Sequence, residues 1–142
     1  MPDILIASDD DALVATIEAA VGGRETRVRS VRYGVDVLPS VVADPPDLVV
    51  LDLQIGNMGG MAVCMTLRLE EGAGRIDPVA VLMLLDRRPD VFLAKRSGAD
   101  GWLVKPLDSI RIRRAVDALL DDGTWEDPTG APVPGPGAAT VG

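Results

Sequence analysis

Residues Asp47-Leu48-Val49-Val50-Leu51-Asp52 set four apolar side chains in unbroken succession between two acids. A strand with one wet face would alternate apolar and polar residues. An unbroken run belongs to a strand buried on both faces, which occurs inside a parallel sheet covered by helices. Open sheets of that kind carry their working groups just beyond the carboxyl ends of the strands, where Asp52 falls. An Asp closing a strand is also an ordinary turn residue, because its side chain bonds the backbone that follows, so the rest of the chain has to decide its role.

The rest of the chain repeats the same unit. Ile4-Leu5-Ile6-Ala7 runs into Ser8-Asp9-Asp10-Asp11, and Leu13, Val14, Ile17, Ala20 and Val21 then recur at helical spacing until Gly22-Gly23. Thr26 to Val31 alternates, with Arg27 and Arg29 on one face and Val28 and Ser30 on the other, as a strand at or near a sheet edge would. Tyr33 to Ala43 reads as a weaker helix interrupted by Pro39 and closed by Pro45-Pro46. After Asp52, Gly56-Asn57-Met58-Gly59-Gly60 is a turn, and Met61, Cys64, Met65 and Leu67 to Leu69 mark a helix ended by Gly72 and Gly74.

Pro78 to Leu85 is a second purely apolar run. Asp86-Arg87-Arg88-Pro89 breaks it, and a helix reaches about Ser97-Gly98. Gly101-Trp102-Leu103-Val104 is a short fifth strand delivering Lys105-Pro106, and Ile110, Ile112, Ala115, Val116, Leu119 and Leu120 stripe a last helix. Five strands alternating with five helices predict a doubly wound α/β domain with a five-stranded parallel sheet and right-handed crossovers.

The 142 residues suffice for one such domain, expected over 1–121. Residues 122–142 turn rich in Pro, Gly and Ala and read as a flexible tail, too short for an output domain, with Trp125 the one residue expected to dock on the domain or a partner. The net charge of −8 disfavours direct nucleic-acid binding. The absence of histidine excludes Ser-His-Asp and Cys-His mechanisms and His-ligated zinc. The lone Cys64 reads as a buried, inert thiol. No apolar run approaches a membrane span and no basic leader opens the chain, so a soluble cytoplasmic protein is expected.

Three strand ends place charge at one edge of the sheet: Asp9 with its neighbours, Asp52 and Lys105. Carboxylates gathered there favour a cation, and an oxygen-rich pocket suits weakly held Mg²⁺ with several retained waters. Asp11 is better explained as an acid at a helix N-terminus. Lys105 in a loop could be simply solvated, although it is one of only two lysines among fourteen basic residues.

Taken in order, Ile4 to Asp10, Leu48 to Leu53, Met58-Gly59-Gly60 and Ser97 to Leu107 resemble the receiver domain of bacterial two-component response regulators, over Ile4 to about Leu120. The resemblance implies the flavodoxin-like receiver fold and a non-enzymatic role in phosphorelay signalling. Asp52 would be the phospho-acceptor for a histidine kinase or phosphotransfer protein, and Lys105 the cation pairing with the phosphoryl group. Asp9, Asp10, Asp52 and the Gln54 backbone carbonyl would be the Mg²⁺ ligands. Output would pass to a downstream protein, and the face made by the fourth helix, fifth strand and fifth helix, with Lys95, Arg96, Trp102, Arg111, Arg114 and Asp100, would dock it or form a homodimer.

The departures lie at the switch. The family's first acid position holds Ser8, and the hydroxyl usual at the end of the fourth strand is replaced by Met83, followed by Leu84 where a small residue is usual; Trp102 keeps the usual aromatic. A hydrogen bond to a charged group contributes roughly 1.5 to 3 kcal/mol of the about 5.5 kcal/mol that full switching demands. The expected protein is therefore an atypical receiver with a weakened or rewired switch. The alternative is a pseudo-receiver that binds partners without phosphorylation. A small-molecule enzyme on the same sheet is disfavoured, because no Gly-x-Gly-x-x-Gly or P-loop follows any strand.

Overall fold

A computed structural model of the chain describes residues 1–23, 25–121 and Trp125. Strands β1 (Asp3–Ala7), β2 (Arg27–Val31), β3 (Leu48–Asp52), β4 (Ala80–Leu85) and β5 (Gly101–Val104) form one parallel sheet in the order β2-β1-β3-β4-β5. Helices α1 (Asp11–Val21), α2 (Val37–Ala43), α3 (Gly60–Gly72), α4 (Val91–Ser97) and α5 (Ser109–Asp121) cover its two faces. The strand order reverses at β1, so the carboxyl ends of β1 and β3 lie side by side and open a crevice.

Every residue of β3 is buried. Alternate residues of the central strands feed two cores. Leu5, Val49, Leu51, Val81, Met83 and Leu85 pack with α2, α3 and α4. Ile4, Ile6, Leu48, Val50, Leu82 and Leu84 pack with α1 and α5. This two-sided burial is why β3 and β4 read as continuous apolar runs while β2, at the edge, keeps exposed Arg27 and Ser30.

Local readings differ in four places. Pro39 does not interrupt a helix: Gly34–Asp36 is a separate 3-10 turn, and Pro39 lies in the first turn of α2, where its missing N–H has no intrahelical partner to lose. On α3 the buried face is Gly60, Val63, Cys64 and Leu67, while Met65 and Leu69 face solvent. Ile110 is likewise exposed at the start of α5, because the buried stripe begins at Ile112. Trp102 is buried within β5 rather than displayed on the outer face, and Asp100 is engaged by Arg68 from α3.

Two glycines are required by close packing. A Cβ on Gly60 would lie 2.7 Å from the Asp52 carbonyl oxygen, so α3 can start against the end of β3 only with glycine there. A Cβ on Gly34 would meet the Met58 carbonyl oxygen at 1.9 Å. That approach joins the two loops beside the crevice through Gly34 N–H to Gly56 C=O and Val35 N–H to Asn57 C=O, both 2.9 Å. It also holds Asn57 and Met58 at positive φ, 51° and 80°.

Trp125 pairs with the start of β5, its N–H donating to the Asp100 carbonyl at 3.2 Å, and its indole packs on the core under α5. The flexible tail read over 122–142 otherwise lies outside the described residues. No described helix is long and apolar enough to cross a membrane.

Candidate functional site

Asp52 is only 2% exposed. A buried carboxylate is tolerated only with compensating donors; two other strand ends and the loop that follows Asp52 supply three. The Ser8 hydroxyl, just past β1, donates to Oδ2 at 2.8 Å. The Lys105 ammonium, just past β5, donates to Oδ1 at 3.0 Å, and the Gln54 backbone N–H donates to the same oxygen at 3.1 Å.

Ser8 does a second job, accepting the Asp10 N–H at 3.1 Å and so turning the chain out of β1. Asp10 then caps α1, its Oδ1 accepting the N–H groups of Ala12 and Leu13 at 3.0 and 3.1 Å. Asp9 reaches across the crevice, its Oδ2 accepting the Gly56 N–H at 3.2 Å. The carboxylates left to face the crevice are thus Asp9 and Asp52, while Asp10 is committed to the helix.

Lys105 is shared. Its Nζ lies 3.0 Å from Asp52 Oδ1 and also 3.0 Å from Asp86 Oδ1. Burial works against its charge, but the hydrogen bonds to the two carboxylates outweigh it, and the ammonium pKa is raised above its ordinary value. Reading the sequence missed Asp86. The signal was present, since Asp86 is the first polar residue after the apolar run of β4 and stands at a strand end like Asp9, Asp52 and Lys105. Arg32 was missed as well: its guanidinium donates to the Asp11 carboxylate and, at 3.3 Å, to the Asp9 carbonyl.

Met83 and Leu84 are fully buried and point to opposite faces, Met83 into the core with Trp102 and Leu84 into the core with Leu103 and Ile112. Strand β4 runs on through both, with Leu53 N–H bonding Leu84 C=O at 3.0 Å and Lys105 N–H bonding Leu85 C=O at 2.8 Å. No hydroxyl stands at the end of β4 to meet a group on Asp52. Beside β5, Lys95 lies over the Trp102 ring at 5.4 Å, and Arg111 turns inward to the carbonyls of Pro106 and Val104. On this side Phe92, Lys95, Arg96 and Arg114 remain exposed.

Residues 4–117 match the response regulator receiver domain family. The chain belongs to this family. Among curated relatives, this receiver is 35% identical over 122 residues to the DNA-binding dual master transcriptional regulator RpaA of Synechocystis, covering 84% of this chain and 49% of that protein. It is 31% identical over 128 residues to the transcriptional regulatory protein AfsQ1 of Streptomyces coelicolor, covering 89% of this chain and 54% of the other. The response regulator PleD of Caulobacter vibrioides is 31% identical over 116 residues, or 82% of this chain and 25% of that protein. The receiver therefore spans about half or less of these relatives.

Solved structures share the fold. A putative response regulator from Chloroflexus aurantiacus superposes with a TM-score of 0.76 at 23% identity, covering 84% of this chain and 98% of that one. The chemotaxis response regulator CheY4 of Vibrio cholerae gives 0.73 at 19% identity, with 84% and 98% covered. Receiver domains are signalling modules that interact with histidine kinases or phosphotransfer proteins, and they typically bind Mg²⁺ at the phosphorylation site. The donors here fit such an ion only sparsely: no group of three or more acidic, His or Cys side chains is placed to hold a metal among the described residues. Two carboxylates suffice for Mg²⁺, which keeps most of its waters.

Proposed function

We propose that Asp52 accepts a phosphoryl group from a histidine kinase or phosphotransfer protein, and that the receiver signals in the cytoplasm through protein contacts rather than by catalysis of its own. The observation that carries this reading is the Asp52–Lys105 pair, a 2%-exposed carboxylate held 3.0 Å from an ammonium at the carboxyl edge of the sheet. The lysine would neutralise charge on the arriving phosphoryl group, and Gln54 N–H orients the acceptor. Asp9, Asp52 and the Gln54 carbonyl would hold Mg²⁺, which supplies further charge neutralisation when bound. Exposed Phe92, Lys95, Arg96 and Arg114 are the proposed docking surface for a downstream protein or a second copy.

A second reading is favoured by Met83 and Leu84. Both are fully buried where a switch would need room, as in an interaction module that works without phosphorylation. Incubation with Mg²⁺ and acetyl phosphate, followed by intact-mass measurement, separates the two. The phosphorelay reading expects one added phosphoryl group in wild type and none in Asp52→Asn. An unchanged wild-type mass supports the constitutive module.

A further inference from the structure

We infer that Asp86 is a positioning residue for the acceptor site: it holds Lys105 in the resting receiver and must release it when a phosphoryl group arrives on Asp52. This rests on the reading of Asp52 as acceptor. The geometry carries it. One Nζ bridges two carboxylates at equal distances of 3.0 Å, one sealed within the fold and the other, Asp86, with 37% of its side chain exposed. Phosphoryl transfer from acetyl phosphate forms a bond between an Asp52 carboxylate oxygen and phosphorus as the bond from phosphorus to the acetate oxygen breaks, and acetate leaves with that electron pair. The product carries more negative charge and three strong acceptor oxygens beside the same ammonium. Asp86 then competes for Lys105 and repels the new group. Of the two anions it alone has solvent to move into.

Asp86 also stands where coupling to shape is needed. In this receiver β4 continues through Met83 and Leu84 to Leu85, so neither position offers a hydroxyl to follow the phosphoryl group. Asp86 is the next residue. It leads into the Arg88–Asp90 turn that starts α4, a turn closed by the Asp90 carboxylate accepting the Arg87 N–H at 3.1 Å. Loss of the Lys105 bond would free the β4–α4 connection from the acceptor site, which makes the lysine, rather than a hydroxyl, the link between chemistry and conformation.

The test is the rate of mass gain with Mg²⁺ and acetyl phosphate for wild type, Asp86→Asn and Asp86→Glu, at low and high salt. Asp86→Asn should be labelled about fivefold faster than wild type at low salt, the scale of a partly exposed ion pair, and Asp86→Glu should restore the slow rate. The gap between wild type and Asp86→Asn should narrow as salt screens the competing charge, which a purely structural role for Asp86 would not produce. Labelling of Asp86→Asn at or below the wild-type rate overturns the inference and leaves Asp52 as acceptor. Failure of all three proteins to gain mass removes the acceptor reading and this inference with it.

Discussion

Ser8 and Asp52, at the ends of adjacent strands β1 and β3, share a 2.8 Å hydrogen bond between hydroxyl and carboxylate, with both residues at most 2% exposed. The hydroxyl thus does locally what a nearby cation does elsewhere, stabilising the buried charge of Asp52. Ser8→Ala should cost roughly 1.5 to 3 kcal/mol, since a charged acceptor loses a donor where water cannot replace it. Thermal melting should show a drop on the order of 5 to 15 °C. A shift under a degree would mean that the bond contributes nothing to the fold.

Ser8→Asp makes the opposite change. A second carboxylate beside Asp52 is repulsive without a cation and helps to hold one when it is present. The variant should melt below wild type in a chelator and regain more stability than wild type as Mg²⁺ is titrated. Equal Mg²⁺ responses in the two proteins would contradict a metal site between these strand ends.

Much of this architecture was legible in the chain. Runs without alternation, such as Leu48 to Leu51 and Val79 to Leu85, fit strands covered on both faces, and each is followed by an acid at the carboxyl edge of the sheet. What was not legible depended on neighbours brought from far along the chain. Met65 and Leu69 look like core until α4 and the sheet fix which face of α3 is covered, and Trp102 looks like surface until Lys95 and the helices close over it. Asp10 and Asp9 are equivalent as sequence; only the turn made by Ser8 gives one to the helix and the other to the crevice. Asp86 and Lys105 are each legible as residues at strand ends, but that one ammonium is shared between Asp86 and Asp52 follows only from the fold that brings β3, β4 and β5 side by side.

Met83→Thr with Leu84→Ala would restore a hydroxyl at the end of β4, but both side chains are fully buried in opposite cores. Leu→Ala at such a site typically costs about 2 to 5 kcal/mol. The double variant should unfold at markedly lower urea concentration than wild type. Near-wild-type stability would show that the end of β4 repacks easily and retains room for a hydroxyl-based switch.

Cys64 offers a pH signature. Burial pushes its thiol above the ordinary value, with Arg68 and Ser97 pulling the other way. The unfolded chain ionises at about pH 8.5 while the folded thiol stays neutral, so this contribution to stability is complete below that pH and is lost as pH rises toward the folded value. Cys64→Ala should flatten that alkaline loss, measured as the difference in urea midpoint between neutral pH and pH values above the ordinary thiol range. An identical pH profile in the two proteins would contradict a burial-shifted thiol.

The central claim, that Asp52 is the acceptor, is tested most directly by locating the modification. After treatment with Mg²⁺ and acetyl phosphate, borohydride reduction converts an aspartyl phosphate to homoserine, and peptide mass mapping reads its position. The account predicts homoserine at position 52 and nowhere else. Homoserine at Asp9 or Asp86, or none in a protein that remains folded, would contradict it.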